Sequence, residues 1–176
     1  FLPNARTAHI FLYDEEKDRL EFGAAQDETG LLDHSFAEPR QDGLTYYVAR
    51  EGKKVIVQDM QKHPLYKNSP ASWTGSILGI PLKHEDTVVG VMSISRVNTG
   101  WFSNSSLRLL DLLAEQAASA ISNARVHEKV RKQAKSDTLT GLPNRRALDE
   151  HLEEELQSAH RTGHSFTTAR MELEGV

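Results

Sequence analysis

Histidine is the residue type in this sequence with the broadest chemistry, because imidazole binds metals and transfers protons near neutral pH. The chain contains eight histidines. His160 and His164 are four positions apart, but Gly163 lies between them and is typical of a helix end. A shared helical face for metal binding is therefore not expected, and we interpret the histidines as solvent-exposed. Haem ligation by His63 or His84 stays open, although nothing in the spacing selects either residue.

Cysteine chemistry is excluded, because the sequence contains no cysteine. Disulfides, thiolate metal sites, cysteine nucleophiles and a thioether-linked chromophore are therefore ruled out within these 176 residues. The lack of cysteine is compatible with a reducing cytoplasm, which is where we expect the protein to be.

Charge and hydropathy narrow the class of partner. The chain has 21 Lys and Arg against 25 Asp and Glu, a formal net charge of −4, so binding to nucleic acid through bulk charge is not expected. No run approaches the roughly 18 apolar residues that a membrane span needs, and no signal peptide is visible at the start. The sequence lacks an initiator Met and stops after a strand-like run, so we expect a piece of a longer protein.

Alternating apolar residues predict a sheet. Five segments are typical of strands: residues 8–13, 20–25, 54–58, 76–83 and 88–97. The polar stretch 26–42 is predicted to be irregular, and Gly43–Arg50 to be a helix that ends at Glu51-Gly52. Short turns favour an antiparallel sheet with helices packed on it, an α+β fold. Pro81 cannot donate to a ladder and is expected at an edge or a bulge.

The pattern changes to helical after residue 102. Ser103 is expected to cap a helix from Asn104 to about Lys135, and Asn144 a second helix that ends at Gly163. A final strand is predicted at Phe166–Leu173. The expected core stripe of the first helix follows three- and four-residue spacing, widened by Leu109, Leu112 and Ile121. Its members are Leu110, Leu113, Ala117, Ala120 and Ala124.

In the order and spacing of its motifs, residues 1–125 resemble a GAF domain, a small-molecule sensor fold. The motifs that carry the resemblance are Phe11-Leu12-Tyr13-Asp14, Gly43–Ala49, Val57-Gln58-Asp59, Ser76–Leu82, Val89-Gly90-Val91 and Asn123-Ala124-Arg125. The family's first helix would precede Phe1. The Asn-Lys…Phe…Asp-Glu pattern of cyclic-nucleotide-binding members is not found. The cysteines needed for bilin attachment or for free-methionine-sulfoxide reduction are missing as well.

The GAF resemblance implies a ligand cavity walled by the 43–50 helix, the strand end at Asp59 and the long loop Met60–Ser72. The candidate ligand-binding residues are Tyr46, Tyr47, Asp59, His63, Tyr66 and Trp73. Loops of this length inside compact domains are more often functional than not. The competing interpretation is that these aromatics simply fill a core or cover the sheet, which is the commoner case.

Residues 137–146 resemble the opening D-x-L-T-x-L-x-N-R-R motif of GGDEF domains, the diguanylate cyclase family. The matching positions are Asp137, Leu139, Thr140, Leu142, Asn144, Arg145 and Arg146. Such enzymes join two GTP molecules into cyclic di-GMP across a dimer, with Mg²⁺ bridging the phosphates. The resemblance places Glu172 where the family has a metal-binding Asp. Glu is a competent oxygen ligand but one methylene longer, so active and degenerate cyclases are both open.

The predicted organisation is therefore a GAF sensor (1–125), a signalling-helix linker (126–136) and the start of a GGDEF domain (137–176). The segment itself is expected to catalyse nothing, because most of the GTP site is expected beyond Val176. The parent protein would be a diguanylate cyclase that uses Mg²⁺ and GTP. Partners would be a small-molecule ligand and a second copy, through the helix 104–135. The alternative is a non-catalytic module whose degenerate GGDEF domain only binds GTP or relays a signal.

Overall fold

The computed structural model describes residues 5–27, 29–32, 38–137, 139–169 and 171. The chain divides into two compact parts, residues 1–124 and residues 125–176. Within the described residues, no helix combines the length and the apolar character needed to cross a bilayer.

The first part is built on a six-stranded sheet. The strands are β1 (Ala5–Asp14), β2 (Arg19–Asp27), β3 (Gly30–Leu32), β4 (Val55–Val57), β5 (Ser76–His84) and β6 (Thr87–Arg96). Their order is β3-β2-β1-β6-β5-β4, and every neighbouring pair is antiparallel. The two long strands β1 and β6 therefore lie at the centre of the sheet. This confirms the predicted antiparallel α+β fold.

Two local features of the sheet follow from residue type. On one side of β5, Pro81 pairs with Val91 of β6. On the other side, β4 pairs with β5 only over Ile77–Gly79, so that side of β5 is an unpaired edge at Pro81. The strand β3 was not predicted, because residues 26–42 are polar. Its three residues pair with the end of β2, and Leu31 is exposed, so no hydrophobic alternation marks the segment.

One face of the sheet is covered by α1 (Leu44–Glu51) and by the loop that follows β4. The buried residues of α1 are Leu44, Tyr46, Val48 and Ala49. Gly79 of β5 makes this approach possible, since a Cβ there would lie 2.9 Å from Val48 Cγ2 and 3.2 Å from Leu44 Cδ2. The helix ends at Gly52 with φ +59°, the left-handed conformation that favours glycine.

The other face of the sheet packs on α2 (Asn104–Lys135). Ser103 Oγ accepts a hydrogen bond from Ser106 N (3.1 Å), so this residue caps the helix as predicted. The predicted core stripe of α2 is wrong in part. Leu110 is buried, and Ala117 and Ile121 pack partly buried against the same core, as predicted. The prediction missed the buried Ala114 and Ala118, and Ala120 and Ala124 are exposed. Leu109, Leu112 and Leu113 are exposed by 49%, 60% and 50%.

In the second part, residues 125–135 continue α2, and α3 (Arg145–Thr162) follows a tight turn. Asn144 caps α3 through Oδ1, which accepts from Ala147 N (3.1 Å), and Gly163 ends it at φ +73°. Both caps were predicted. None of the eighteen residues of α3 is buried within the chain. The predicted strand Phe166–Leu173 is not formed over residues 166–169, where the described backbone has no strand to pair with.

Candidate functional site

A cavity of about 380 Å³ lies between the sheet and the loop that covers its α1 face. Three structural groups form its wall. The sheet contributes Thr7, His9, Phe11, Ile77, Ser93 and Ser95; the start of α1 and the segment before it contribute Glu38, Pro39, Arg40, Gly43, Leu44 and Thr45; the loop contributes Met60, Tyr66, Ser72, Trp73 and Thr74. The sheet also contributes Arg6, at the start of β1. The volume lies at the lower end of the range for small-molecule sites, about 300–1,000 Å³.

The floor of the cavity is polar because of strand alternation. Residues 7, 9 and 11 of β1 face the same side as 93 and 95 of β6. The hydroxyls of Thr7 and Ser95 lie 2.6 Å apart and bond each other across the two strands. The rings of His9 and Phe11 are stacked, with centroids 5.9 Å apart. This floor therefore combines hydroxyls with a flat aromatic surface.

The loop wall is aromatic. The rings of Tyr66 and Trp73 lie 6.2 Å apart in a tilted arrangement. The loop begins where Met60 N donates to Gly75 O (2.9 Å), and it contains a 3-10 turn, Pro64–Tyr66. This turn places Tyr66 inward, where the residue is buried.

Arg40 ties the segment before α1 to the loop. Its Nη2 donates to the carbonyl of Leu65 (2.6 Å), and its Nε lies 3.7 Å from Asp42 Oδ1. Its Nη1 is buried and has no hydrogen-bond partner in the part of the chain that the structure describes. A buried donor without an acceptor is costly, so this nitrogen lowers the stability gained from the packing of Arg40.

Burial shifts the pKa of two ionisable groups of the wall, His9 and Tyr66. Burial lowers the pKa of His9 below its ordinary value of 6.5, so the imidazole is neutral at pH 7. Burial also raises the pKa of Tyr66 to about 12, against the opposing effect of the nearby Arg40 cation. The phenol therefore stays protonated, and it can donate as well as accept a hydrogen bond.

The structure brings two of the six predicted ligand-site residues, Tyr66 and Trp73, to the cavity wall. Tyr46 is buried on the opposite side of α1, where its hydroxyl accepts from Leu20 N (3.3 Å) and Arg50 covers its ring. Tyr47 is 43% exposed and lines a shallow surface depression.

The remaining two predicted residues shape the backbone of the loop. Asp59 Oδ1 accepts from Gln61 N (3.0 Å), and its carboxylate pairs with Lys62 (3.2 Å). His63 caps the 3-10 turn through Nδ1, which accepts from Leu65 N (3.4 Å). Neither side chain lies on the cavity wall.

Sequence reasoning missed the polar floor and Arg40. The signal for the floor was present in part, since residues 9, 93 and 95 alternate with apolar residues in two predicted strands, whereas residue 7 precedes the predicted strand 8–13. What the sequence did not provide was which sheet face the loop covers. Arg40 lies in a stretch that was predicted only as irregular. No periodicity there indicates which way a side chain points.

The second part contains the turn that carries the GGDEF-like motif. Asp137 Oδ1 accepts from Leu139 N (3.1 Å), Thr140 N (2.9 Å) and Thr140 Oγ1 (2.9 Å). These bonds, above all those from Thr140, lower the pKa of the Asp137 carboxyl. Asp137 N donates to Leu142 O (2.7 Å), which closes the turn. Asp137 and Thr140 thus have a structural role here.

The other motif residues connect α2 and α3 or face solvent. Lys135 and Arg146 both pair with Glu150, and they lower the pKa of its carboxyl. Arg145 is exposed, as are Leu139 and Leu142. The candidate metal ligand Glu172 lies outside the described residues. Among those described, no three His, Asp or Glu side chains are grouped so as to hold a metal ion.

A family model of the GAF domain matches residues 1–122 of the 176. The chain belongs to the GAF domain family. A second family model, that of the diguanylate cyclase GGDEF domain, matches residues 134–174, which include the whole Asp137 turn. Both resemblances seen in the sequence are thereby confirmed, and the arrangement is that of a diguanylate-cyclase-type signalling protein. No curated protein sequence matches the chain.

Solved structures show the same GAF fold. The GAF domain of an Acinetobacter phosphoenolpyruvate-protein phosphotransferase is 23% identical over 70% of this chain and 74% of its own, with a TM-score of 0.56. The corresponding domain from Coxiella burnetii is 21% identical over 71% and 76%, with a TM-score of 0.57. A type II free methionine-R-sulfoxide reductase from Thermoplasma acidophilum is 20% identical over 69% and 81%, with a TM-score of 0.54.

Proposed function

We propose that this GAF domain is the sensor of a diguanylate cyclase. A small ligand binds in the cavity between the sheet and the 60–74 loop, and α2 relays its presence to a GGDEF output. That output joins two GTP molecules into cyclic di-GMP with Mg²⁺, in the cytoplasm. The sensor, linker and output correspond to residues 1–125, 126–136 and 137 onward.

The observation that carries the proposal is the cavity itself. A domain with a purely structural core would close this space with apolar side chains, since protein interiors are densely packed. Here the wall keeps about 380 Å³ open, and the residues that line it include serines and threonines, His9 and Arg40. A mainly apolar pocket with a small number of polar groups that point into it is typical of small-molecule sites.

The output reaction would need Mg²⁺ and GTP. By the match to the GGDEF family, Glu172 is the residue of this chain that would contribute a carboxylate oxygen to the metal. Carboxylate oxygens suit Mg²⁺, which supplies charge neutralisation at the phosphates when bound. The residue is Glu where the motif has Asp, and this favours a second candidate function, a degenerate output that binds GTP or relays a signal without turnover.

Dimerisation through residues 104–135 is part of the proposal, because joining two GTP molecules requires two output domains. Leu109, Leu112 and Leu113 form an exposed apolar face on the first half of α2. Val126 and Val130 are exposed on the second half. Apolar helix faces of this kind are buried when two helices pair.

A cavity-filling variant tests the sensor. Ser95→Trp places an indole in the cavity, whereas Thr87→Trp introduces the same side chain at an exposed position of the same strand. In a thermal-shift screen of metabolites, we expect at least one compound to stabilise the wild type and Thr87→Trp but not Ser95→Trp. Compounds that stabilise all three proteins alike, or none at all, would contradict the proposal.

The output is tested with the full-length protein that carries this chain. Cyclic di-GMP formation from GTP and Mg²⁺ should change when the cavity ligand is added. If no product forms, Glu172→Asp separates the two candidate functions. A gain of turnover in that variant would identify residue 172 as the cause, and continued inactivity would support the non-catalytic module.

A further inference from the structure

We infer that the cavity binds uncharged ligands in which an apolar ring carries an amide group, and that the hydroxyls of Ser93 and Tyr66 hold the amide. The inference rests on the proposed function, because it takes the cavity to be a ligand site. It adds the chemical class of the ligand and the two side chains that recognise it.

Ser93 is a buried polar residue on the cavity floor. It pairs with His9 of β1 and Gly79 of β5, and it is only 6% exposed. The next serine on this face, Ser95, bonds Thr7, whereas the Ser93 hydroxyl forms no hydrogen bond with the described residues. Strand alternation directs its side chain to the cavity.

The Ser93 hydroxyl is not sealed off by the protein. Among the described residues, the fully buried side-chain atoms that lack a partner are Arg40 Nη1, Ser69 Oγ and Arg96 Nε. Since Ser93 Oγ lacks a partner and is not one of these atoms, it reaches the open space of the cavity. A polar group at this depth needs a hydrogen-bond partner, and a ligand can provide it.

Tyr66 contributes a second hydroxyl from the loop wall. The residue is 8% exposed and lines the cavity. Its hydroxyl also forms no hydrogen bond with the part of the chain that the structure describes, and it is not a fully buried atom. Burial raises the pKa of this phenol to about 12, so the hydroxyl keeps its proton. Both hydroxyls can donate and accept, which suits the carbonyl oxygen and the N–H of an amide.

The charged groups of the wall favour an uncharged ligand. The Arg40 guanidinium has no nitrogen left for a ligand, because Nη2 donates to a loop carbonyl, Nε faces Asp42 and Nη1 is buried. An ionised carboxylate would therefore lose its water without gaining a cationic partner. The other charged residues of the wall, Arg6 and Glu38, are exposed and of opposite sign.

The field of Arg40 disfavours a cationic ligand as well. Burial raises the pKa of Tyr66, and the Arg40 cation is close enough to oppose that rise. An ammonium group beside Tyr66 would be repelled by the same cation, whereas the oxygen end of an amide dipole would be attracted.

The rest of the wall fits an apolar ring. The stacked His9 and Phe11 lie on the sheet, and Tyr66 and Trp73 lie on the loop. Aromatic side chains favour offset-stacked and edge-to-face contacts with other rings. An apolar cavity of about 150 Å³ holds benzene, so the cavity of about 380 Å³ has room for a ring and its amide.

The chain has natural reporters for the experiment. It contains three methionines and two tryptophans. Met60 and Trp73 line the cavity, whereas Trp101 and Met171 are exposed. Labelling with ¹³C-methyl methionine and fluorotryptophan therefore gives cavity signals and internal controls in the same sample.

The probes are benzamide, benzoate, benzylamine and toluene, which share one ring and differ in charge and hydrogen bonding. At pH 7 we expect benzamide to shift the Met60 and Trp73 resonances and to leave Met171 and Trp101 unchanged. Benzamide should bind more tightly than the anion benzoate and the cation benzylamine, because each of these would bury an unpaired charge. Toluene measures the contribution of the ring alone.

Removal of the two hydroxyls assigns the effect to them. In Ser93→Ala/Tyr66→Phe, the Kd of benzamide divided by that of toluene should rise at least about fivefold, because one net hydrogen bond contributes about three- to tenfold. Ser119→Ala/Tyr47→Phe makes the same two changes at exposed positions and should keep the wild-type ratio. Circular dichroism verifies that each variant is folded. If the first variant does not fold, the comparison of Ser93→Ala with Ser119→Ala decides.

Two results would overturn the inference while a ligand still enters the cavity. They are tighter binding of benzoate or benzylamine than of benzamide, and an unchanged benzamide-to-toluene ratio in the variant without the two hydroxyls. Both leave the proposed sensor function intact. Unshifted Met60 and Trp73 resonances with every probe would also overturn the inference. The sensor function fails as well only if the metabolite screen is negative too.

Discussion

The side-chain amide of Asn144 donates to the carbonyl of Ala134 at 2.9 Å, which joins the last turn of α2 to the residue that caps α3. The oxygen of the same amide accepts from Ala147 N (3.1 Å). One asparagine therefore satisfies a carbonyl at the end of one helix and an N–H at the start of the next. Such groups lack partners within their own helices.

Asn144→Ala should destabilise the start of α3 by about 1 kcal/mol, the usual cost of losing an N-cap side chain. The measurement is native-state hydrogen exchange at the amide of Ala147, which loses its acceptor. Asn123→Ala is the matched control, because Asn123 is exposed in the middle of α2 and alanine favours helix there. Equal protection of Ala147 in Asn144→Ala and wild type would disprove the capping role.

Gly79→Ala should destabilise the GAF domain by about 1–3 kcal/mol, because the added methyl group meets Val48 Cγ2 at 2.9 Å. Urea unfolding measures the loss. The double variant Gly79→Ala/Val48→Ala provides the control, since removing the Val48 methyls makes room for the new one. We expect the double variant to lose less stability than the two single losses added together. Simple additivity would show that the contact is not the cause.

The stability of the GAF domain should fall as the pH is lowered below about 6.5. Burial lowers the pKa of His9, so the unfolded chain binds a proton at a pH where the folded chain does not. The free energy of unfolding therefore rises with pH through the window just below 6.5 and levels off above it, with a slope of at most about 1.4 kcal/mol per pH unit. Urea unfolding between pH 5.5 and 7.5 measures this. His9→Gln should lower that slope, and an unchanged slope would refute the assignment.

Leu109→Glu/Leu113→Glu should abolish dimerisation of the chain without unfolding it, because both leucines are about half exposed. Sedimentation velocity over a range of concentrations gives the oligomeric state, and circular dichroism verifies the fold. Leu110→Glu is the contrasting change. Leu110 is buried in the core beneath α2, so that variant should lose the fold itself. A double variant that still dimerises would show that this face is not the interface.

Helix ends were the most predictable part of the molecule. Ser103, Asn144, Gly52 and Gly163 each act on their own backbone, so residue type alone indicated the position. The long strands were predicted for a similar reason, since their alternation is local. The short strand β3 is instead defined by its pairing with β2, which a polar sequence does not reveal.

Orientation about a helix axis was harder to predict. The first half of α2 carries leucine or alanine on nearly every side, so the predicted stripe combined Leu110 and Ala117, which pack on the sheet, with Leu113, which is exposed. The sheet buries Ala114 and Ala118 beside Leu110 instead. The cavity was only partly predictable for the same reason. Tyr66 and Trp73 were predicted and lie on the cavity wall, whereas the positions of Arg40 and of the β1 and β6 residues depend on contacts that are distant in sequence.

The alternation of β6 gives its neighbouring residues different tasks. Ser93 and Ser95 face the cavity, whereas Met92 and Ile94 belong to the core against α2. Substitutions at 93 and 95 thus alter the chemistry of the cavity floor while the α2 core keeps its side chains. Insertion or deletion of one residue would exchange the two sets at once, burying hydroxyls under the helix and emptying the cavity floor of polar groups. In the proposed sensor, the ligand preference can therefore change by point substitution at these positions, whereas the length of the strand must stay constant.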